Sequence, residues 1–143
     1  MLIIRPYRPS DYLGAKKTLE EGSLYDPIWD SRKNLSKMIS IDPKSIIVAT
    51  DGKNIVGVQY VVAMGWEALF FRLAVGKKYR KRGIGRALIK KAEAIVKKRG
   101  VKEVSFFVNS KNRKLYKLYK SWGYSPSDTH TYKNMYKRLS PGR

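Results

Sequence analysis

The chain has 143 residues and no cysteine. That excludes disulfides, thiolate metal sites and a cysteine nucleophile. It has one histidine, His130, with no motif around it, which reads as a surface residue. No metal site is expected. Acidic residues are scarce: 11 Asp and Glu stand against 31 Lys and Arg, for a formal net charge of +20. No apolar run approaches the length of about 18 residues that suggests a membrane span. The start, Met-Leu-Ile-Ile-Arg-Pro, lacks the long apolar core of a signal peptide. A cytoplasmic protein without membrane contact is expected. Repeats, linkers and low-complexity segments are absent too, so residues 1–143 are expected to form one domain.

What is abundant is positive charge, and its field attracts polyanions. Nucleic acid, a phosphate-rich cofactor, or the lysine enrichment of some hyperthermophile proteins would each account for it. The charge alone does not choose among them.

Residues 69–99 organise the rest. Leu69 to Val75 is a short apolar run suited to a buried strand, and Gly76 breaks it. From Ile84, apolar residues recur at Leu88, Ala92, Ile95 and Val96 with helical period, while Arg86, Lys90, Glu93 and Lys97 take the opposite face. Between them lies a glycine-bearing loop. Gly83 and Gly85 let the backbone approach a ligand. They stand where a helix begins and its first N–H groups lack partners, a natural anion site. Arg80, Lys81, Arg82 and Arg86 surround it with positive charge.

Three phosphate motifs compete. A Walker loop needs Gly-Lys-Ser/Thr, but Arg86-Ala87 follows Gly85. A dinucleotide fingerprint needs a third glycine where Leu88 stands. The remaining pattern is Arg/Gln-x-x-Gly-x-Gly/Ala after a strand ending Leu-Ala-Val. Arg80-Lys81-Arg82-Gly83-Ile84-Gly85 matches it at every fixed position. This resembles the acetyl-CoA pyrophosphate loop of the GNAT family of N-acetyltransferases.

The rest of the chain reads as follows. Leu2–Ile4 is a first strand. Ser10 and Asp11 are N-cap candidates for a helix over Tyr12–Glu21, and a second helix is expected over Ile28–Ile39. Strands are expected at 45–50, 55–63 and 66–75, joined at Asp51-Gly52 and Met64-Gly65, with Gly57 a bulge candidate. This is an antiparallel meander. After the 84–99 helix, a strand over 101–108 implies a parallel crossover. A helix over 111–120 and a final strand over 130–139 complete the chain. The expected fold is α/β: a GNAT-like mixed sheet with an antiparallel N-terminal meander, a splayed central parallel pair, and helices on both faces. Open α/β sheets bind ligands at strand C-termini.

A second stretch runs Asn109-Ser-Lys-Asn112-Arg-Lys-Leu115-Tyr116-Lys-Leu-Tyr119-Lys-Ser-Trp122-Gly123-Tyr124. It resembles the family's Asn-x-x-Ala…Tyr-x-x-x-Gly-Phe signature, with Leu115 in place of the alanine. The resemblance implies that Asn112 contacts the coenzyme A arm. It also implies that Tyr119 stands near the thioester sulfur as the acid for the leaving thiolate. By the same resemblance, Leu73, Ala74 and Val75 pair with the pantetheine, and residues Lys81–Arg86, Ile84 among them, cradle the pyrophosphate.

The family's usual glutamate bases are missing: Phe107 and Leu69 occupy those positions. Glu67 is the nearest acid and is expected to be exposed, as is Glu103. Tyr25 and Trp29 are expected to pack rather than line an acceptor site. Two functions follow. The first is acetyl transfer from acetyl-CoA to an amine: a protein N-terminus, a lysine or a small amine, by a monomer or homodimer. The second is a basic nucleic-acid-binding module, whose aromatics at Tyr116, Tyr119, Trp122 and Tyr124 would stack on bases. An acetyltransferase acting on a nucleic-acid-bound protein would combine the two.

Overall fold

The computed structural model describes residues 1–126 and 134–140. They form two compact units, Met1–Phe107 and Val108–Arg143.

The first unit is built on a five-stranded sheet in the order β1-β2-β3-β4-β5. The strands are β1 (Leu2–Pro6), β2 (Ile46–Asp51), β3 (Asn54–Met64), β4 (Glu67–Val75) and β5 (Glu103–Ser105). The first four pair antiparallel, and β4 pairs parallel with β5. The expected meander and parallel crossover are both present.

Alternation along the strands separates two faces. Ile46 and Val48 of β2, with Val58 and Tyr60 of β3, join Tyr12, Ala15 and Leu19 of α1 (Tyr12–Glu21) and Leu35 of α2 (Arg32–Ile41) in one core. On the other face, α3 (Ile84–Lys98) packs against the sheet. A Cβ built on Gly57 would lie 2.8 Å from Leu88 Cδ1 and 3.2 Å from Ile84 Cγ2. Glycine there lets α3 approach β3 closely.

Several boundaries differ from the sequence expectation, each for a local reason. Asp11 does not cap α1 with its side chain. Its carboxylate accepts the Arg8 N–H at 2.8 Å and both ends of the Arg5 guanidinium, closing a 3-10 turn over Pro9–Asp11. The second helix starts at Arg32 rather than Ile28. Asp26 Oδ1 accepts the N–H groups of Ile28 and Trp29, holding 26–30 as a turn, and Ser31 then caps the helix through Asn34 N–H. The bulge expected at Gly57 falls beside it. Gly57 faces Ala49 and Ile55 faces Thr50, leaving Val56 as the extra residue.

The strand expected over 101–108 is only Glu103–Ser105. Its pairing ends at Leu69↔Ser105. Three residues further, β4 carries a bulge: Tyr60 faces Phe71 and Val58 faces Ala74, so Arg72 and Leu73 share one position opposite Gln59. Arg72 has φ +56°. A bulge bends its strand and raises the local twist, so β4 turns away from β5 and the pair opens.

The second unit carries α4 (Arg113–Ser121), capped by Asn112 and followed by Gly123 at φ +93°. Of the final strand expected over 130–139, residues 130–133, His130 included, lie outside the described residues. Residues 134–139 are not in a strand.

Candidate active site

The site grows from the end of β4. Beyond Leu69 the strand is paired with β3 alone among the described residues, so one edge of residues 70–75 is open. Ala74 is buried, while Leu73 and Val75 are half-buried. A peptide edge of this kind offers N–H and C=O groups to an extended ligand.

After β4 the chain makes a 3-10 turn over Lys77–Tyr79 and enters the basic loop. Lys81 (φ +63°) and Gly83 (φ +79°) both lie in the left-handed region. At Gly83 a side chain would meet no atom within 4 Å, so the position is open and backbone conformation alone calls for glycine. Gly85 lies within the first turn of α3, where its φ is not positive. The first hydrogen bond of α3 runs from Ala87 N–H to the Gly83 carbonyl, 3.0 Å. Among the described residues, the N–H groups of Gly83, Ile84, Gly85 and Arg86 find no acceptor. Lys81, Arg82 and Arg86 are exposed and, among the described residues, in no ion pair. Arg82 lies over the Tyr79 ring at 5.5 Å. This turn therefore brings unsatisfied donors, a helix dipole and exposed cations to one place.

Arg80 has a second task. Its Nε donates to the Val75 carbonyl at 3.1 Å and its Nη2 to the Glu21 carbonyl at 2.8 Å. The Lys77 N–H donates to Glu21 Oε1 at 3.0 Å. Arg80 therefore ties the loop to the end of β4 and to the end of α1. It also occupies the Val75 carbonyl.

In the second unit, Asn112 Oδ1 accepts the Leu115 N–H at 3.1 Å and so caps α4. Tyr119 is half-buried, edge-to-face with Trp122 at 5.5 Å between ring centres. Burial raises its pKa above the usual tyrosine value. The phenol is accordingly protonated at neutral pH and a weaker acid than an exposed tyrosine. Glu67 corrects an expectation: it is half-buried, and its Oε1 accepts the Ser105 hydroxyl at 3.2 Å, linking β4 to β5. Glu103 is exposed, as expected. Tyr25 packs against the core, and Trp29 is 44% exposed.

A polar cluster went unnoticed in the sequence. Asp30 is buried between α1 and α2. Its Oδ1 accepts the Tyr60 hydroxyl at 2.8 Å and Arg72 Nε at 3.2 Å, and its Oδ2 accepts the Asp26 N–H at 2.8 Å. Tyr12 donates its hydroxyl to the Asp30 carbonyl at 3.1 Å, so Tyr25, 2.9 Å away, donates to Tyr12. Burial and the Tyr25 hydrogen bond push the Tyr12 pKa up to about 12. Burial, then the nearby Asp30 charge, push Tyr60 higher. Both phenols stay neutral. Tyr12, Tyr60 and Arg72 lie 18, 30 and 42 positions from Asp30, and no local pattern signals them. Among the described residues no cluster of His, Cys, Asp or Glu is suited to a metal ion. No helix among them is long and apolar enough to cross a membrane.

A mixed sheet whose parallel pair opens past Leu69, with a cationic helix start at its end, is the frame of an acyl-CoA-dependent transferase. The chain belongs to the acetyltransferase (GNAT) family, matching it over residues 11–124. It is accordingly an N-acetyltransferase with acetyl-CoA as donor. The comparison with curated proteins gave no match. Among solved structures, the fold is similar to an Ard1 from Thermoplasma volcanium (20% identity, 88% of this chain and 84% of that one, TM-score 0.77). It is similar to PaiA N-acetyltransferase from Thermoplasma acidophilum, solved with coenzyme A (21% identity, 92% and 94%, TM-score 0.78). It is also similar to glucosamine-6-phosphate N-acetyltransferase from Arabidopsis thaliana (17% identity, 98% and 99%, TM-score 0.72). At these identities the likeness is one of fold.

Proposed function

We propose that the protein transfers acetyl from acetyl-CoA to an amine by direct attack, with no acyl-enzyme stage. The free N–H groups of Gly83, Ile84, Gly85 and Arg86, with Lys81, Arg82 and Arg86, hold the diphosphate. Arg80 fixes the shape of that turn and adds its charge. The open edge of Leu73, Ala74 and Val75 pairs with the pantetheine amides, and Asn112 touches the same arm. A backbone N–H near Val75 polarises the thioester carbonyl. The amine nitrogen forms a bond to the acetyl carbon, the C–S bond breaks, and Tyr119 gives the thiolate its proton. Glu67 is engaged with Ser105, so the amine proton leaves through water.

The acceptor is a protein N-terminus, a lysine or a small amine. A polycationic amine is disfavoured by the +20 field. Any nucleic-acid contact, including action on a nucleic-acid-bound protein, is electrostatic and fades as salt rises. The family match runs from residue 11 to 124, across both compact units, which supports reading the chain as one acetyltransferase domain.

The observation that carries the reading is the run of four donors that, among the described residues, have no acceptor, at the end of a strand edge left unpaired by β5. The test is release of coenzyme A thiol from acetyl-CoA, read colorimetrically against a panel of peptides and amines. An acceptor-dependent thiol signal supports transfer. A protein whose melting temperature does not respond to acetyl-CoA, and which releases no thiol, refutes it.

A further inference from the structure

Resting on that reading, we infer that Arg72 sets acceptor choice: its guanidinium fork receives an oxyanion, carboxylate or phosphate, carried by the acceptor near its amine. An arginine has five N–H donors in a fixed plane. Arg72 uses only Nε, on Asp30 Oδ1 at 3.2 Å. Its Nη1 and Nη2 donate to nothing among the described residues. The two partners also differ in exposure: the Arg72 side chain is 27% exposed and that of Asp30 is 1%.

Asp30 is thereby a brace. Its two oxygens already accept from Tyr60, Asp26 N–H and Arg72. A buried carboxylate so satisfied is not open to a substrate ammonium. Its charge is shared among three donors, which leaves the outer edge of the guanidinium electropositive. Pinning Nε fixes the plane of the group and aims that edge. Planar paired donors match carboxylate and phosphate oxygens two at a time, which a lysine cannot do.

Position adds to this. Arg72 stands on the bulge of β4, past the last pair with β5 and three residues before Val75. Its φ of +56° is a conformation a non-glycine residue holds only when its surroundings impose it. Asp30 lies in the segment between α1 and α2, so the brace links that segment to the strand edge assigned to the acetyl carrier. The net charge of +20 attracts anionic acceptors to the protein as a whole.

The test uses matched acceptors on the full chain with acetyl-CoA. One arm sets amino acids against their amides; the other sets glucosamine 6-phosphate against glucosamine. The wild type is expected to prefer the charged member in one arm by about tenfold or more in kcat/KM. Arg72→Lys keeps a cation for Asp30 but has no second pair of planar donors. It should lose that preference, mainly through KM, while its melting shift with acetyl-CoA stays that of the wild type. If Arg72→Lys does not melt cooperatively, the double variant Asp30→Asn/Arg72→Gln, which leaves no unpaired charge, takes its place. Equal use of charged and neutral members, use of neither, or a preference that survives the substitution overturns the inference. A wild type that acetyl-CoA does not stabilise fails at the earlier step, the cofactor site, and is recognised by that absence.

Discussion

Gly85→Glu should separate folding from binding, because the two effects have opposite signs. Gly85 is the second residue of α3, after the Gly83 cap and Ile84. A glycine within a helix is less favourable than alanine by about 0.8–1.0 kcal/mol, and glutamate ranks close to alanine. An acidic side chain in the first turn adds about 0.3–1 kcal/mol through the helix dipole. No acidic residue occupies that turn now. The unliganded variant should therefore gain about 1 kcal/mol, or roughly 2–4 °C in melting temperature for a chain near this length. Binding should go the other way. A unit negative charge about 5 Å from one phosphate charge costs about 3 kcal/mol at an effective dielectric of 20. That is more than a hundredfold in affinity. Wild type at a hundred times its dissociation constant for acetyl-CoA gains about 2.7 kcal/mol. In a thermal melt, the variant should start slightly above the wild type and fail to move when acetyl-CoA is added. A variant that shifts as far as the wild type would show that the diphosphate lies elsewhere.

Tyr119→Phe should leave the acetyl-CoA melting shift intact and lower turnover by about a hundredfold, the lower end of general acid contributions; unchanged thiol release would remove Tyr119 from the chemistry. Gly57→Ala should destabilise the protein by about 1–3 kcal/mol through overpacking, since its Cβ would come within 2.8 Å of Leu88 and 3.3 Å of Ala49; a denaturant midpoint at or above the wild-type value would refute that packing. Asp42 has a depressed pKa, chiefly through its paired hydrogen bonds with Arg99 at 2.7 and 2.9 Å, despite partial burial. A folded pKa below the unfolded value of about 3.9 gives stability that is complete above pH 4–5 and is lost as pH falls through the folded pKa. Asp42→Asn should flatten part of that acid slope in melts between about pH 2 and 5 and change little of the pH dependence near pH 7.

Wherever a residue's neighbours in sequence decide its conformation, the chain could be read directly. The α1 helix falls at Tyr12–Glu21 as expected, and α3 begins at Ile84 as expected. Apolar spacing and the two glycines are enough for both. The hairpin at Asp51-Gly52 is equally local, with Gly52 at φ +62°. Side-chain hydrogen bonds across short loops were less legible. Asp26 and Ser31 delay α2, and Asp11 serves a 3-10 turn instead of α1. Each of these polar residues had several places where it could cap or close a turn, and the sequence did not rank them. Arg80 shows the same limit from the other side. Its motif position was evident, but its grip on the Val75 and Glu21 carbonyls depends on α1 lying beside the end of β4.

The order of charges, glycines and apolar residues along 69–99 was by itself sufficient to put a helix start with unpaired first-turn N–H groups among clustered cations, because such N–H groups follow from helix geometry wherever a helix begins. Tertiary structure alone decided that β4 would bulge at Arg72 and part from β5. It also decided that Asp30 would be buried beneath Tyr60 and Arg72. Those contacts join residues 30 and 42 positions apart, and a pairing of that range exists only once the sheet and the α1–α2 segment have packed together.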